Sequence, residues 1–139
     1  MIFRKRPKPI KLERLEELEP LIETGQPILL DFWQANCRSC KIMDGIVNEL
    51  AEDYAGGAHV VKVDVGRVPG AVQQFKIQGT PTFILLGRSR KKPSKKARKR
   101  GATPSEDSPL TPRWRASGLV RKDVMSRALE SNGARRAEQ

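Results

Sequence analysis

Two cysteines and a single histidine leave little from which to build a metal centre or a disulfide scaffold. A secreted scaffold would carry more cysteines at longer spacings. A tetrahedral metal site needs about four ligands, and the chain offers Cys37, Cys40 and the distant His59; only a centre shared between two copies would complete the set. Long apolar runs are missing too. The longest, residues 28–30 and 83–86, suit strands and fall far short of a bilayer span. The basic N-terminus (Arg4, Lys5, Arg6, Lys8) precedes no apolar stretch of the kind a secretory signal requires. The chain therefore reads as soluble, intracellular and cytoplasmic.

What is abundant is positive charge, and it is unevenly placed. The 139 residues carry a net +11. Residues 12–87 hold eleven acidic against six basic side chains, a net −5. Residues 88–112 contribute +7 and the remaining terminal segments +9. A mildly acidic core with basic appendages is the expectation. The length suits one hydrophobic core rather than two.

Apolar spacing supplies the elements. Residues 1–11 read as a flexible basic arm, although Ile10, Lys11 and Leu12 could form a short edge strand. Leu15, Leu18, Leu21 and Ile22 recur at three and four, the period of an amphipathic helix that Gly25 ends. Residues 27–33 are a nearly continuous apolar run, as in a central strand covered on both faces. A long helix follows the cysteines, with Ile42, Ile46 and Leu50 on one stripe and Met43, Val47 and Tyr54 on the next, until Gly56 and Gly57 stop it. Residues 59–65 alternate as a strand, with Val61, Val63 and Val65 on one side. A short helix at 69–75 and a strand opened by Pro81 come next. Trp114 and Ala116 mark the inward side of a further strand, and Val120, Val124, Ala128 and Leu129 a last helix. Strand, helix and strand at these distances make a parallel βαβ unit within an α/β fold. Between Arg88 and Pro112 the sequence is rich in Lys, Arg, Pro and Ser, which predicts a disordered insertion. Residues 132–139 read as a flexible tail.

Cys37-Arg38-Ser39-Cys40 falls at a strand-to-helix junction. The first cysteine would meet unpaired backbone N–H groups and the positive end of the helix dipole, which stabilise a thiolate. The second, one turn on, could attack a mixed disulfide formed at the first. Cys37 is thus the candidate nucleophile and Cys40 the resolving thiol, with Arg38 and Lys41 adding positive charge. A pair of inert buried cysteines is the bland alternative, and context has to decide between them.

That context is a resemblance. Leu29-Leu30-Asp31-Phe32-Trp33 followed by Cys37-Arg-Ser-Cys40-Lys41 resembles the active-site strand and helix start of the thioredoxin family. Gly79-Thr80-Pro81-Thr82 resembles its cis-proline loop, Val61-Lys62-Val63-Asp64 its third strand, and Ser117-Gly118 the glycine beside its substrate groove. The likeness runs from about Leu15 to Ser131, apart from the insertion. It implies a thioredoxin fold, a central mixed β-sheet flanked by helices on both faces, over residues 12–131 interrupted at 88–112. It further implies that Asp31 is a buried acid exchanging a proton with Cys40, and that desolvation raises its proton affinity. Lys62 matches the lysine beside that acid, although a strand lysine ordinarily snorkels to water. Pro81 would be cis and, with Thr80, would dock substrate; Trp33, Asn36, Arg38, Ser39 and Gly118 would complete the substrate surface.

Three positions depart from the family. Arg38-Ser39 replaces Gly-Pro between the cysteines, which bears on redox potential. Asn36 stands where a second tryptophan is usual, and Gly45 replaces a helix-kinking proline. The implied activity is thiol–disulfide exchange as a protein-disulfide reductase, with no bound cofactor and no metal. Disulfide-containing proteins would be the substrates, an upstream reductase the electron source, and the monomer the working unit. The basic run at 88–100 could also hold a polyanion, nucleic acid or an acidic membrane surface. It has no aromatic residue for base stacking. The bland alternative is a solvated charged loop without a dedicated ligand. The rival expectation is a binding module on the same scaffold, anchored by this run to nucleic acid, ribosome or an anionic membrane, with the cysteines as a redox switch.

Overall fold

The computed structural model describes residues 6–88 and 109–137. Five strands form one mixed sheet: β1 (Ile10–Leu12), β2 (Ile28–Trp33), β3 (His59–Asp64), β4 (Thr82–Arg88) and β5 (Leu110–Ser117), in the spatial order β1-β3-β2-β4-β5. β3 runs parallel to both β1 and β2, whereas β4 is antiparallel to β2 and to β5. The helices are α1 (Leu18–Glu23, entered through a 3-10 turn at Leu15–Glu17), α2 (Arg38–Asp53), α3 (Ala71–Phe75) and α4 (Lys122–Ser131). Among the described residues no helix is long and apolar enough to cross a membrane.

Alternation along the strands divides the core in two. Leu29, Val60, Phe83 and Leu85 point to the face covered by α2 and α4, where they meet Met43, Val47, Leu50, Met125 and Leu129. Ile28, Leu30, Phe32, Val61, Val63 and Ile84 point the other way, against Leu18 of α1 and Ala71 of α3. Because β2 is covered on both faces, its side chains are apolar almost throughout, and Asp31 is the exception. Helices therefore flank both faces, as the resemblance implied.

Several boundaries differ from the sequence expectation. Ile10 and Lys11 do not belong to a free arm: they pair with Val61 and Lys62 as the edge of the sheet. The strands flanking the basic segment reach further into it, since Arg88 pairs with Leu110 and Gly87 with Thr111. Pro112 fits because β5 is an edge strand and the register shifts there between Leu85 and Leu86, at a bulge that needs no donor from it. The rest of the expected insertion, with most of the 88–100 run, lies outside the described residues. The tail is docked as far as residue 137: Ala134 is buried beside Tyr54, and the Ala137 N–H donates to the Asp53 carbonyl at 2.7 Å. Gly57 permits this, because a Cβ there would overlap the Arg135 backbone. Ile42 is 55% exposed rather than part of the buried stripe, which runs through Cys40, Met43, Val47, Leu50 and Ala51.

Candidate active site

β2 delivers Asp31 and Trp33 to one end of the sheet, and α2 begins five residues after Trp33. The connection turns at Asn36, whose φ of 62° lies in the left-handed region that asparagine tolerates better than most residues. Cys37 then caps α2 in an extended conformation, its Sγ accepting the Cys40 N–H at 3.2 Å. The two cysteines form a disulfide, with Cα atoms 5.2 Å apart. Cys37 is half-buried and Cys40 is 4% exposed, so the two sulfurs differ in access. Arg38 is exposed and Ser39 half-buried beside them. The helix runs unbroken through Gly45.

Facing the pair is the loop before β4. The Thr80–Pro81 peptide is cis, and the Thr80 carbonyl oxygen lies 3.6 Å from Cys37 Sγ. Three contacts hold this loop. The Gly118 N–H donates to the Pro81 carbonyl at 2.9 Å, and the Thr82 hydroxyl donates to the Gly79 carbonyl at 2.6 Å. Ser117 Oγ lies 3.2 Å from the same hydroxyl. Gly118 itself has φ near 81°, a conformation that favours glycine. The structure thus brings Cys37, Cys40, Thr80, Pro81 and Gly118 to one end of the sheet, and Trp33 stands half-buried at the end of β2.

Asp31 lies beneath this surface, 2% exposed, and its Oδ1 has no hydrogen-bond partner among the described residues. Burial raises its pKa from the ordinary 3.8 to about 7; the Lys62 charge opposes the rise and the Asp44 charge adds to it. Lys62 does not snorkel to water. It is the register neighbour of Asp31 on β3, its side chain is only 15% exposed, and its ammonium donates to Asp44 Oδ1 at 2.8 Å and lies 4.9 Å from the Trp33 ring centroid. Asp44 escaped the sequence reading. The available signal was its position four residues after Cys40, hence on the same side of α2. Thr82 was also missed as a clamp on the loop. His59 pairs with Thr24 at the far end of β3 and takes no part. Among the described residues no three His, Cys, Asp or Glu side chains gather as a metal site would require.

A cysteine pair at a helix N-terminus, opposite a cis-proline loop on a β1-β3-β2-β4-β5 mixed sheet, defines the class of thioredoxin-fold proteins. Solved structures share the architecture. A mutant thioredoxin from Halobacterium salinarum superimposes with a TM-score of 0.67 at 20% identity, covering 94% of this chain and 96% of that one. The thioredoxin of Malassezia sympodialis gives 0.68 at 16% identity, covering 96% and 98%. The chain belongs to the thioredoxin family: the family model, described as Thioredoxin, matches residues 10–107. Among curated relatives, Thioredoxin 1 of Chlorobaculum tepidum is 38% identical over 72 residues, 51% of this chain and 71% of that protein. The chloroplastic M-type thioredoxin of Spinacia oleracea is 32% identical over 76 residues, 55% of this chain. The match spans only 42% of the spinach protein's length.

Proposed function

We propose that the chain is a thiol–disulfide oxidoreductase that reduces disulfides of protein substrates through Cys37 and Cys40. The observation that carries the reading is the division of labour within the pair: a partly exposed sulfur at the start of α2 and a buried one beneath it, with a buried carboxyl on the adjacent strand. Family membership supports it.

In the reducing direction the Cys37 thiolate attacks one sulfur of a substrate disulfide. A bond forms between them, and the other substrate sulfur leaves with the bonding electron pair and takes up a proton. Asp31 accepts the proton of the Cys40 thiol, and the resulting thiolate attacks Cys37 Sγ. The Cys37–Cys40 disulfide forms while the second substrate thiol departs. Two electrons have passed to the substrate, and an upstream reductase must return two to the pair. A carboxyl titrating near neutral pH suits proton exchange in either direction. Thr80 and Pro81 dock the substrate backbone, and Trp33, Asn36, Arg38, Ser39 and Gly118 form the surrounding surface.

The test is a Cys40→Ser variant incubated with cell protein. It should accumulate mixed disulfides through Cys37 that dithiothreitol releases, whereas Cys37→Ser should trap none. The wild type should reduce insulin and show a reducing potential in glutathione buffers. An oxidising potential would reverse the direction assigned to the reaction. A pair that never cycles would sink the proposal.

A further inference from the structure

β2 and β3 set Asp31 and Lys62 side by side, and Lys11 of β1 stands next in the same row. Opposite charges facing one another on neighbouring strands attract, yet Asp31 makes no ion pair among the described residues and its Oδ1 is unpartnered. The Lys62 ammonium goes instead to Asp44 of α2, at 2.8 Å, and over the Trp33 ring. Lys62 is 15% exposed and Asp44 is 44% exposed. The pair therefore sits at the rim of the site, with water beyond Asp44 and Asp31 on the buried side.

We propose that Asp44 is a positioning residue for proton transfer at Cys40: by holding Lys62 at the rim, it leaves Asp31 without a counter-ion. The inference rests on the reading that Asp31 exchanges a proton with Cys40. Few other groups could set the field at Asp31. β3 contributes Lys62 and, two residues on in register with Trp33, Asp64, which faces Arg67 and accepts the Gly66 N–H. α2 contributes Asp44 and the two cysteines, and Lys11 lies one strand further away. On the other side β4 presents Phe83 in register with Asp31, and β5 presents Ala116 beyond it. α4 turns uncharged side chains to this core, Met125 and Leu129 fully buried and Ala128 partly so, with Ser126 buried beside them. With the cysteines joined they carry no charge, and Lys62 and Asp44 are the charges whose effects on Asp31 stand out, acting in opposite directions. Asp44 acts twice, by its own field and by fixing where the Lys62 charge lies. A free Lys62 could swing toward Asp31 and hold it ionised, which would leave it a poorer proton acceptor.

The experiment uses the oxidised protein, in which no thiol titrates. The side-chain carboxyl carbon of Asp31 is followed by NMR against pH, its signal assigned by its loss in Asp31→Asn. In Asp44→Asn the midpoint should fall by about half a unit to one unit. Asp44→Glu should restore it, and Lys62→Met should raise it. In the Lys62→Met background, Asp44→Asn should move the midpoint by less than half as much as it does alone. An unchanged midpoint in Asp44→Asn would overturn the inference. So would an equal shift with and without Lys62, since Asp44 would then be acting as a plain charge. Insulin reduction by the wild type is measured in parallel. Its absence would overturn the oxidoreductase reading and with it the catalytic meaning of the coupling. A missing shift in a protein that does reduce insulin would remove the role of Asp44 alone.

Discussion

The stability of an oxidised Asp31→Asn variant, relative to that of the oxidised wild type, should rise with pH. The folded state holds the Asp31 proton up to about pH 7, whereas an ordinary aspartate releases it at 3.8. Below 3.8 both states are protonated and the carboxyl costs nothing. As pH rises from 3.8 toward 7 the unfolded chain ionises and the folded one does not, so stability drains away by about 1.4 kcal/mol per unit. The loss is complete above pH 7, where it amounts to roughly 4 kcal/mol for a gap of about three units. That is a large share of the roughly 5–15 kcal/mol that holds a domain of this size together. Asparagine does not titrate, so its advantage over aspartate should increase by roughly 3–4 kcal/mol between pH 4 and pH 8.5. The unpartnered Oδ1 is common to both side chains and cancels, whereas the two N–H donors of the amide, buried where the carboxyl was, would add a pH-independent cost of about 1–3 kcal/mol to the variant. Only the difference between the two pH values isolates the carboxyl. Urea denaturation of both oxidised proteins at pH 4, 5.5, 7 and 8.5 measures it. An Asp31→Asn effect that is the same at every pH would refute the assignment of a buried, protonated acid.

Two further substitutions probe how the site and the chain end are held. Gly57→Ala should cost about 1–3 kcal/mol, because the added methyl displaces the Arg135 backbone and with it buried Ala134; hydrogen exchange at the Ala137 amide should speed up, and an unchanged exchange rate would show that this segment is not docked there. Thr82→Val keeps the side-chain shape but loses the 2.6 Å hydrogen bond to the Gly79 carbonyl. It should cost about 1–2 kcal/mol in chemical denaturation and lower kcat/KM for insulin; full stability with full turnover would mean that the clamp on the Thr80–Pro81 loop is dispensable.

Much of the site is legible in short stretches of sequence. Cys37 and Cys40 are three residues apart at the start of an amphipathic pattern, and the helix they open is determined by contacts four residues long or shorter. The Gly79-Thr80-Pro81-Thr82 stretch resembles the family's loop without reference to anything distant. Asp31 stands out as the acidic residue in an apolar run. The ends were misread for the opposite reason. Ile10 and Lys11 look like part of a basic arm until β3 is available to pair with them, and residues 134–137 look like a tail until Gly57 makes room. Pro112 argues against a strand unless the strand is known to lie at an edge and to carry a bulge.

The order of strands and helices, the two apolar faces of β2 and the placing of a cysteine pair at a helix start were determined by the sequence alone, because periodicity and helix starts depend on near neighbours. Which charges surround Asp31 was decided by the tertiary structure. Lys62 is 31 residues from Asp31 and 18 from Asp44, and nothing local says which of the two carboxylates it will join. The register of β3 against β2 sets Lys62 beside Asp31, and the rotation of α2 over the sheet draws its ammonium to Asp44. Interaction between charges falls with distance through space and rises as water is excluded, and neither quantity is written along the chain.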